Sequence, residues 1–173
     1  DKVNLVSMAR FLNNAFWQGL TTTQIQLAAA YVALVNWWEY IKPTIIGNII
    51  DPSNTENSYN KYQNSNKIFK SETSEQIKKG LFNVINTNPE LSNANLSGQK
   101  LWAKSGTAQI SFRGRYQRGE GWTNGTFAGV ISTEDPRYVV NIWIRRPRKN
   151  QWWGSTAGPI FRQIAQYLLT YDL

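Results

Sequence analysis

The sequence predicts an α+β domain in which an antiparallel sheet is flanked by helices. Three observations predict it. Helical features mark three segments, two early and one at the end. Between the second and third lie three strand-like runs with short connections, which implies antiparallel pairing. The last of those runs is apolar on both faces, so helices are expected on both sides of it.

The first helix is expected from about Thr22 to Asn36. Leu27, Tyr31, Leu34 and Val35 share a face, but Ala28 to Ala30 and Val32 make the other faces apolar as well. A helix apolar nearly all round is buried. A possible strand follows over Ile41 to Ile50, then a polar, Asn-rich stretch from Asp51 to Lys67 that reads as an exposed loop. The second helix spans about Glu72 to Ile85, with Ser71 as its N-cap and Glu72 in its first turn. Its inward stripe is Ile77, Leu81, Val84 and Ile85, and Asn88-Pro89 closes it. A second Asn-rich stretch, Asn86 to Ser97, reads as an insertion. The strands are Lys100 to Ile110, Gly125 to Ser132 and Tyr138 to Arg145, with a turn at Glu134-Asp135-Pro136. The third helix starts near Pro159 and carries Ile160, Phe161, Ile164, Ala165, Leu168 and Leu169 on its apolar face.

The 173 residues suffice for one domain with a core, and 17 % charged with 13 % aromatic residues is a globular composition. Cysteine and histidine are absent. That excludes disulfides, thiolate chemistry, the usual zinc ligand sets and a Ser-His-Asp triad within these residues. No metal or cofactor signal is present. The net charge of +8 suits anionic partners or simply a solvated basic surface. Its densest cluster is Arg145-Arg146-Pro147-Arg148-Lys149, with Arg113, Arg115 and Arg118 nearby, and neither group sits in a nucleic-acid-binding module, so no nucleic acid partner is expected. No apolar run is long enough to span a bilayer, and Asp1-Lys2-Val3 does not begin a signal peptide, so any membrane anchor is expected outside this chain.

The segment that carries chemistry is Lys104-Ser105-Gly106-Thr107-Ala108-Gln109. A Lys-Ser/Thr-Gly triplet alone is weak, arising by chance in roughly one chain in ten of this length. On a strand, and extended by Thr-Ala-Gln, it is far more specific. Such an element occurs in serine acyl-transferases that also use S-x-x-K. Strand alternation puts Ser105 and Thr107 on one face and Lys104 on the other. Hydroxyls bordering a groove can bind a carboxylate, and the lysine adds positive charge and assists proton transfer. Gly106 lets backbone approach closely.

The surroundings resemble class B penicillin-binding proteins along nearly the whole chain. Phe16-Trp17-Gln18-Gly19 with Thr21 to Tyr31 is similar to the family's Phe-Gly-Gln-Gly…Thr-Pro-x-Gln-Leu-Ala-x-Ala-Tyr. Val35-Asn36-Trp37-Trp38 with Ile41-Lys42-Pro43 resembles its Asn-Gly-Gly…Pro. Gly125 to Val130 resembles its Ser-Phe-x-Gly strand, and Trp153-Gly154-Ser155-Thr156-Ala157-Gly158-Pro159-Ile160-Phe161 its Gly-Gly-x-x-Ala-x-Pro-x-Phe. The resemblance implies the fold shared with serine β-lactamases, here as the C-terminal half of a transpeptidase domain over residues 1–173. It implies a D,D-transpeptidase that cross-links peptidoglycan stem peptides and is acylated by β-lactams, working with cell-wall synthesis and division proteins at the extracytoplasmic face of the bacterial plasma membrane. Lys104 and Thr107 would be its catalytic residues, with half of the oxyanion hole at the Thr107 N–H. Ser105, Gly106, Thr107 and Gln109 would bind substrate.

Two departures stand out. The family's S-x-x-K and S-x-N motifs lie upstream of the Phe-Gly-Gln-Gly segment, and the 16 residues that precede Trp17 here contain neither motif. Ser97-Gly98-Gln99-Lys100 and Ser58-Tyr59-Asn60 match formally but follow the wrong landmarks. The chain alone is therefore expected to be inactive, and aggregation-prone through its apolar first helix. Readings as a nucleophile-free scaffold of the cell-wall machinery, or as part of a β-lactamase or β-lactam sensor, stand as alternatives. Secondly, tryptophan replaces the family's glycine at Trp17, Trp37, Trp38 and Trp153. We read these as glycine codons of a code in which UGA means glycine, translated as tryptophan; genuine tryptophans in a divergent gene are the alternative.

Overall fold

The computed structural model describes residues 22–36, 39–46, 48–50, 56–58, 66–131 and 138–171. Helix α1 is Gln24–Val35. Thr23 caps it: its hydroxyl accepts from the Gln26 N–H at 3.1 Å while Gln26 Oε1 accepts from the Thr23 N–H at 2.9 Å, a reciprocal box that satisfies two orphan donors. Two short ladders follow, β1 (Glu39–Tyr40) with β4 (Asn66–Lys67), and β2 (Asn48–Ile50) with β3 (Glu56–Ser58). Helix α2 is Ser71–Thr87. The central sheet takes β5 (Leu101–Gln109), β8 (Thr123–Ile131) and β9 (Tyr138–Arg145) in that order, all antiparallel. Between β5 and β8 sits a small hairpin of β6 (Ser111–Phe112) and β7 (Arg115–Tyr116). Helix α3, Ala157–Tyr171, closes the described fold.

The period of two along each strand sorts the sheet into two faces. Leu101, Ala103, Phe127, Ile131, Tyr138, Val140, Ile142 and Ile144 share one face with Phe161 and Ala165 of α3. Phe127 stacks on Phe161 at 4.7 Å, and both are fully buried. Gly129 lies at the tightest point of this face. A Cβ there would stand 2.7 Å from Ala103 Cβ and 2.9 Å from both Phe161 Cζ and the Trp102 carbonyl oxygen. The opposite face carries Trp102, Ala128, Val130 and Val139 against Leu27, Tyr31 and Val35 of α1 and Leu81 of α2. Burial pushes the Tyr31 hydroxyl well above the ordinary tyrosine range. Helices thus cover both faces, as the doubly apolar β9 requires.

Side-chain contacts of α2 tie it to α1 and to the motif strand. The buried Ser74 hydroxyl donates to the Leu34 carbonyl at 3.0 Å, joining α2 to α1. The Asn86 amide donates to Phe82 O at 2.8 Å and Leu101 O at 3.0 Å, tying the end of α2 to the first residue of β5.

Several expectations are corrected. The N-cap of α2 is Lys70, with Ser71 already helical, and no side chain caps it; helix ends drift by a residue in this way. The single strand expected over Ile41 to Ile50 is broken, because residues 41–46 are irregular around Pro43, which has no N–H to give a ladder. Within the stretch Asp51 to Lys67, Glu56–Ser58 and Asn66–Lys67 form strands. Asn86 to Ser97 is no mere surface insertion, since Leu91 at the end of a one-turn helix, Pro89–Leu91, and Ala94 and Leu96 in the segment after it enter the core. Helix α1 buries Tyr31 on its sheet side and Ala29 and Ala33 on nearly the opposite side, so it is enclosed on more than one side as its apolar circumference predicts, with Ile25 in the first turn left 64 % exposed. Helix α3, by contrast, follows the expectation: it begins at Ala157, with Pro159 in its first turn.

Candidate active site

The motif residues all lie on β5, which pairs with β8 on one side and with no strand on the other among the described residues. An edge strand presents every second N–H and C=O to whatever lies alongside. That is the backbone arrangement an extended acyl peptide needs in order to add as a further strand.

Lys104 pairs with Ala128 and Gly106 with Thr126 on the α1 face of the sheet. Ser105 pairs with Phe127, Thr107 with Gly125 and Gln109 with Thr123 on the α3 face. The structure therefore places Lys104 and Gly106 on one face and Ser105, Thr107 and Gln109 on the other. Lys104 keeps an exposed surface, and its Nζ curls along the strand to donate to the Ser105 carbonyl at 2.7 Å. Neighbouring protein nonetheless strips water from the ammonium, and this desolvation holds its pKa below the usual lysine value. A lysine so placed gives up a proton more readily than one in water.

Gly106 is glycine for a reason the structure makes specific. The Thr126 hydroxyl donates to the Gly106 carbonyl at 3.2 Å, and a Cβ on Gly106 would stand 2.5 Å from that same oxygen. Thr107 is half-buried beside a one-turn helix, Trp153–Ser155, whose Trp153 N–H points at its Oγ1 from 3.4 Å. With that acceptor position occupied, the hydroxyl proton is left to donate toward an incoming carboxylate. Gly125, opposite Thr107, makes room for the same segment: a Cβ there would meet Thr156 Oγ1 at 2.8 Å. Trp153 packs its ring on Phe127 at 5.3 Å without a positive φ, and Gly158 leaves space for it, since a Cβ there would lie 3.1 Å from the indole. Backbone conformation therefore does not demand glycine at Trp153. Trp17, Trp37 and Trp38 lie outside the described residues.

Sequence reasoning missed Thr126 and Thr156. A small residue directly across the ladder from each motif glycine or threonine was the available signal, but register had to be known first. The formal S-x-x-K match starts at Ser97 in a turn ahead of β5, with Gly98 at φ +82, and not on a helix. Ser58 ends β3, and its partners Tyr59 and Asn60 lie outside the described residues.

This arrangement has close relatives. The family model for the penicillin-binding protein transpeptidase domain matches residues 7–166. The chain belongs to that family. The transpeptidase-family chain is 30 % identical to the penicillin-binding protein PbpB of Mycolicibacterium smegmatis, over 94 % of this chain and 26 % of the relative. It is 32 % identical to the stage V sporulation protein D of Bacillus subtilis, over 87 % of this chain and 23 % of the relative. Its fold superposes on the crystal structure of penicillin-binding protein 3 from Mycobacterium tuberculosis complexed with aztreonam with a TM-score of 0.76 at 26 % identity, covering 90 % of this chain and 36 % of that one. The transpeptidase domain of Burkholderia pseudomallei penicillin-binding protein 3 gives 0.70 over 90 % of this chain and 44 % of its own, at 23 % identity, a likeness of fold. The chain thus spans about a quarter of the curated relatives it matches. Among the described residues no helix is long and apolar enough to cross a membrane.

Proposed function

We propose that the whole protein is a class B peptidoglycan D,D-transpeptidase that cross-links stem peptides through a serine acyl-enzyme, and that this chain supplies the substrate-binding strand but not the nucleophile. The observation that carries the reading is the open edge of β5, where a desolvated lysine, two hydroxyls and a sterically required glycine stand within four consecutive residues, Lys104 to Thr107.

The chemistry follows from those groups. A serine Oγ, contributed from outside this chain, bonds to the substrate carbonyl carbon, and the carbon–nitrogen bond breaks. The departing amine takes up a proton. An acceptor amine then attacks the ester carbon and releases the serine. With a β-lactam the same carbon–nitrogen bond opens, but the amine stays tethered and the ester persists. Ser105 and Thr107 hold the substrate carboxylate, and Gln109 lines the groove further along. Lys104 supplies positive charge and helps move the proton. The Thr107 N–H donates to the developing oxyanion. The protein would act at the extracytoplasmic face of the bacterial plasma membrane, anchored by a segment outside this chain, alongside cell-wall synthesis and division proteins. Labelling of the whole protein with a fluorescent penicillin tests the reading. A covalent adduct that Lys104→Ala or Thr107→Val slows supports it, and an unlabelled wild type refutes it.

A further inference from the structure

The end of the sheet beyond Gln109 has a use that the acyl-transfer reading does not absorb. Arg113, Arg115, Arg118, Arg145, Arg146, Arg148 and Lys149 all lie exposed there. Among the described residues none of them is in an ion pair. Glu120 is the one acidic residue described between Ile110 and Trp152. Contacts join the cations into one surface. The Arg113 guanidinium stacks over Phe112 at 5.3 Å, Phe112 sits 5.8 Å from Trp122, and Arg146 covers Trp122 at 4.5 Å. The Gly121 N–H donates to Pro147 O at 3.1 Å and the Arg146 N–H to Thr123 O at 3.0 Å, binding the two cationic segments together.

Local preference argues against these residues being here for folding alone. Arg113-Gly114 forms the two-residue turn of the small hairpin with φ +49 and +77. Such a turn favours asparagine, aspartate or glycine at its first position, not arginine. Arg146 is also left-handed, at φ +53. Beside the cations, Gly119, Glu120, Lys149, Asn150, Gln151 and Trp152 line a depression of about 290 Å³, and Trp152 is 60 % exposed. An exposed indole flanked by two amides and one carboxylate suits a saccharide ring, which stacks its C–H face and donates its hydroxyls. The same carboxylate repels a polyphosphate. Stacked guanidiniums present fixed forks to carboxylates.

We propose that this end of the sheet docks a glycan strand of the cell wall, the sugar ring on Trp152 and the carboxylates of its stem peptides on the arginines. The proposal rests on the transpeptidase reading. The saccharide seat lies beside the end of β5, since Gln151 O accepts from the hydroxyl of Thr123, the ladder partner of Gln109, and the Trp153 N–H reaches Thr107. The test uses the whole natural protein with purified wall sacculi in a sedimentation assay, with fluorescent penicillin labelling run in parallel. The charge-reversing variant Arg113→Glu/Arg146→Glu/Arg148→Glu should lose binding at least tenfold, Trp152→Ala severalfold, and both should label with penicillin as the wild type does. Wild-type binding should also weaken steeply as salt rises. The proposal is overturned if the labelled wild type does not sediment, if the variants bind equally well, or if single-stranded DNA or anionic vesicles displace sacculi at equal charge concentration. A wild type that takes up no penicillin yet sediments through these arginines supports the docking surface and refutes the transpeptidase reading.

Discussion

Replacing Gly106 with alanine isolates one physical requirement of the motif. The new Cβ would stand 2.5 Å from Thr126 Oγ1, well inside contact distance, and that oxygen is tied to the Gly106 carbonyl at 3.2 Å. Relief requires Thr126 to turn away, giving up a hydrogen bond worth about 1 kcal/mol net. Residual crowding adds about 1–3 kcal/mol. Against this, alanine restricts the unfolded chain by about 0.4–1 kcal/mol. The net expectation is a loss of about 1–3 kcal/mol, or roughly 3–9 °C in melting temperature for a domain of this size. Removing the obstructing atom should rescue it. Thr126→Ala alone should cost about 1 kcal/mol, and Gly106→Ala/Thr126→Ala should be more stable than the sum of the two singles by about 1 kcal/mol or more. Thermal melts of the whole natural protein and the three variants make the comparison. An unshifted Gly106→Ala melt, or strict additivity in the double variant, would refute the steric reasoning.

Other expectations follow from the same contacts. Gly129→Ala meets three atoms within 2.9 Å, two of them on neighbouring strand backbone or its Cβ, and should destabilise more than Gly106→Ala in the same melt. Phe161→Ala empties a fully buried ring site against Phe127 and should cost about 3–5 kcal/mol by urea denaturation. Lys104 should titrate below 10.5 in the folded protein when followed by NMR of the methylated amine. Between its folded pKa and 10.5 the unfolded chain holds the proton that the folded chain has released, so stability should rise with pH across that window and Lys104→Gln should flatten the rise. Peptide masses from the natural protein decide Trp153: a tryptophan mass identifies a genuine indole, and a glycine mass identifies the recoded codon. In the former case Trp153→Gly should destabilise through the lost contact with Phe127.

The sequence carried the central sheet and its two helical layers because those elements have strong periodicity. Tyr138–Arg145 was legible to the residue, being apolar on both faces and bounded by turn chemistry. The motif was legible because Lys104 to Gln109 combines residue types that a strand alone does not require. What escaped was set by register. That Thr126 sits across from Gly106, or Gly125 across from Thr107, depends on how β8 slides along β5, and no local pattern specifies it. Leu91, Ala94 and Leu96 were hidden for another reason: they sit in Asn-rich, largely irregular backbone, where three core side chains follow no helical or strand period. The one-residue shift at the cap of α2 is a choice between near-equal local states, whereas the break at Pro43 was available in the sequence, since proline has no N–H to give a ladder.

The most direct test of the central claim is the rate and site of penicillin acylation in the whole natural protein. The account predicts one adduct per molecule on a serine that lies in no peptide of this chain, formed about 10- to 100-fold more slowly in Thr107→Val and at least 100-fold more slowly in Lys104→Ala. No adduct, an adduct on Ser97 or Ser105, or rates indifferent to both substitutions would contradict it.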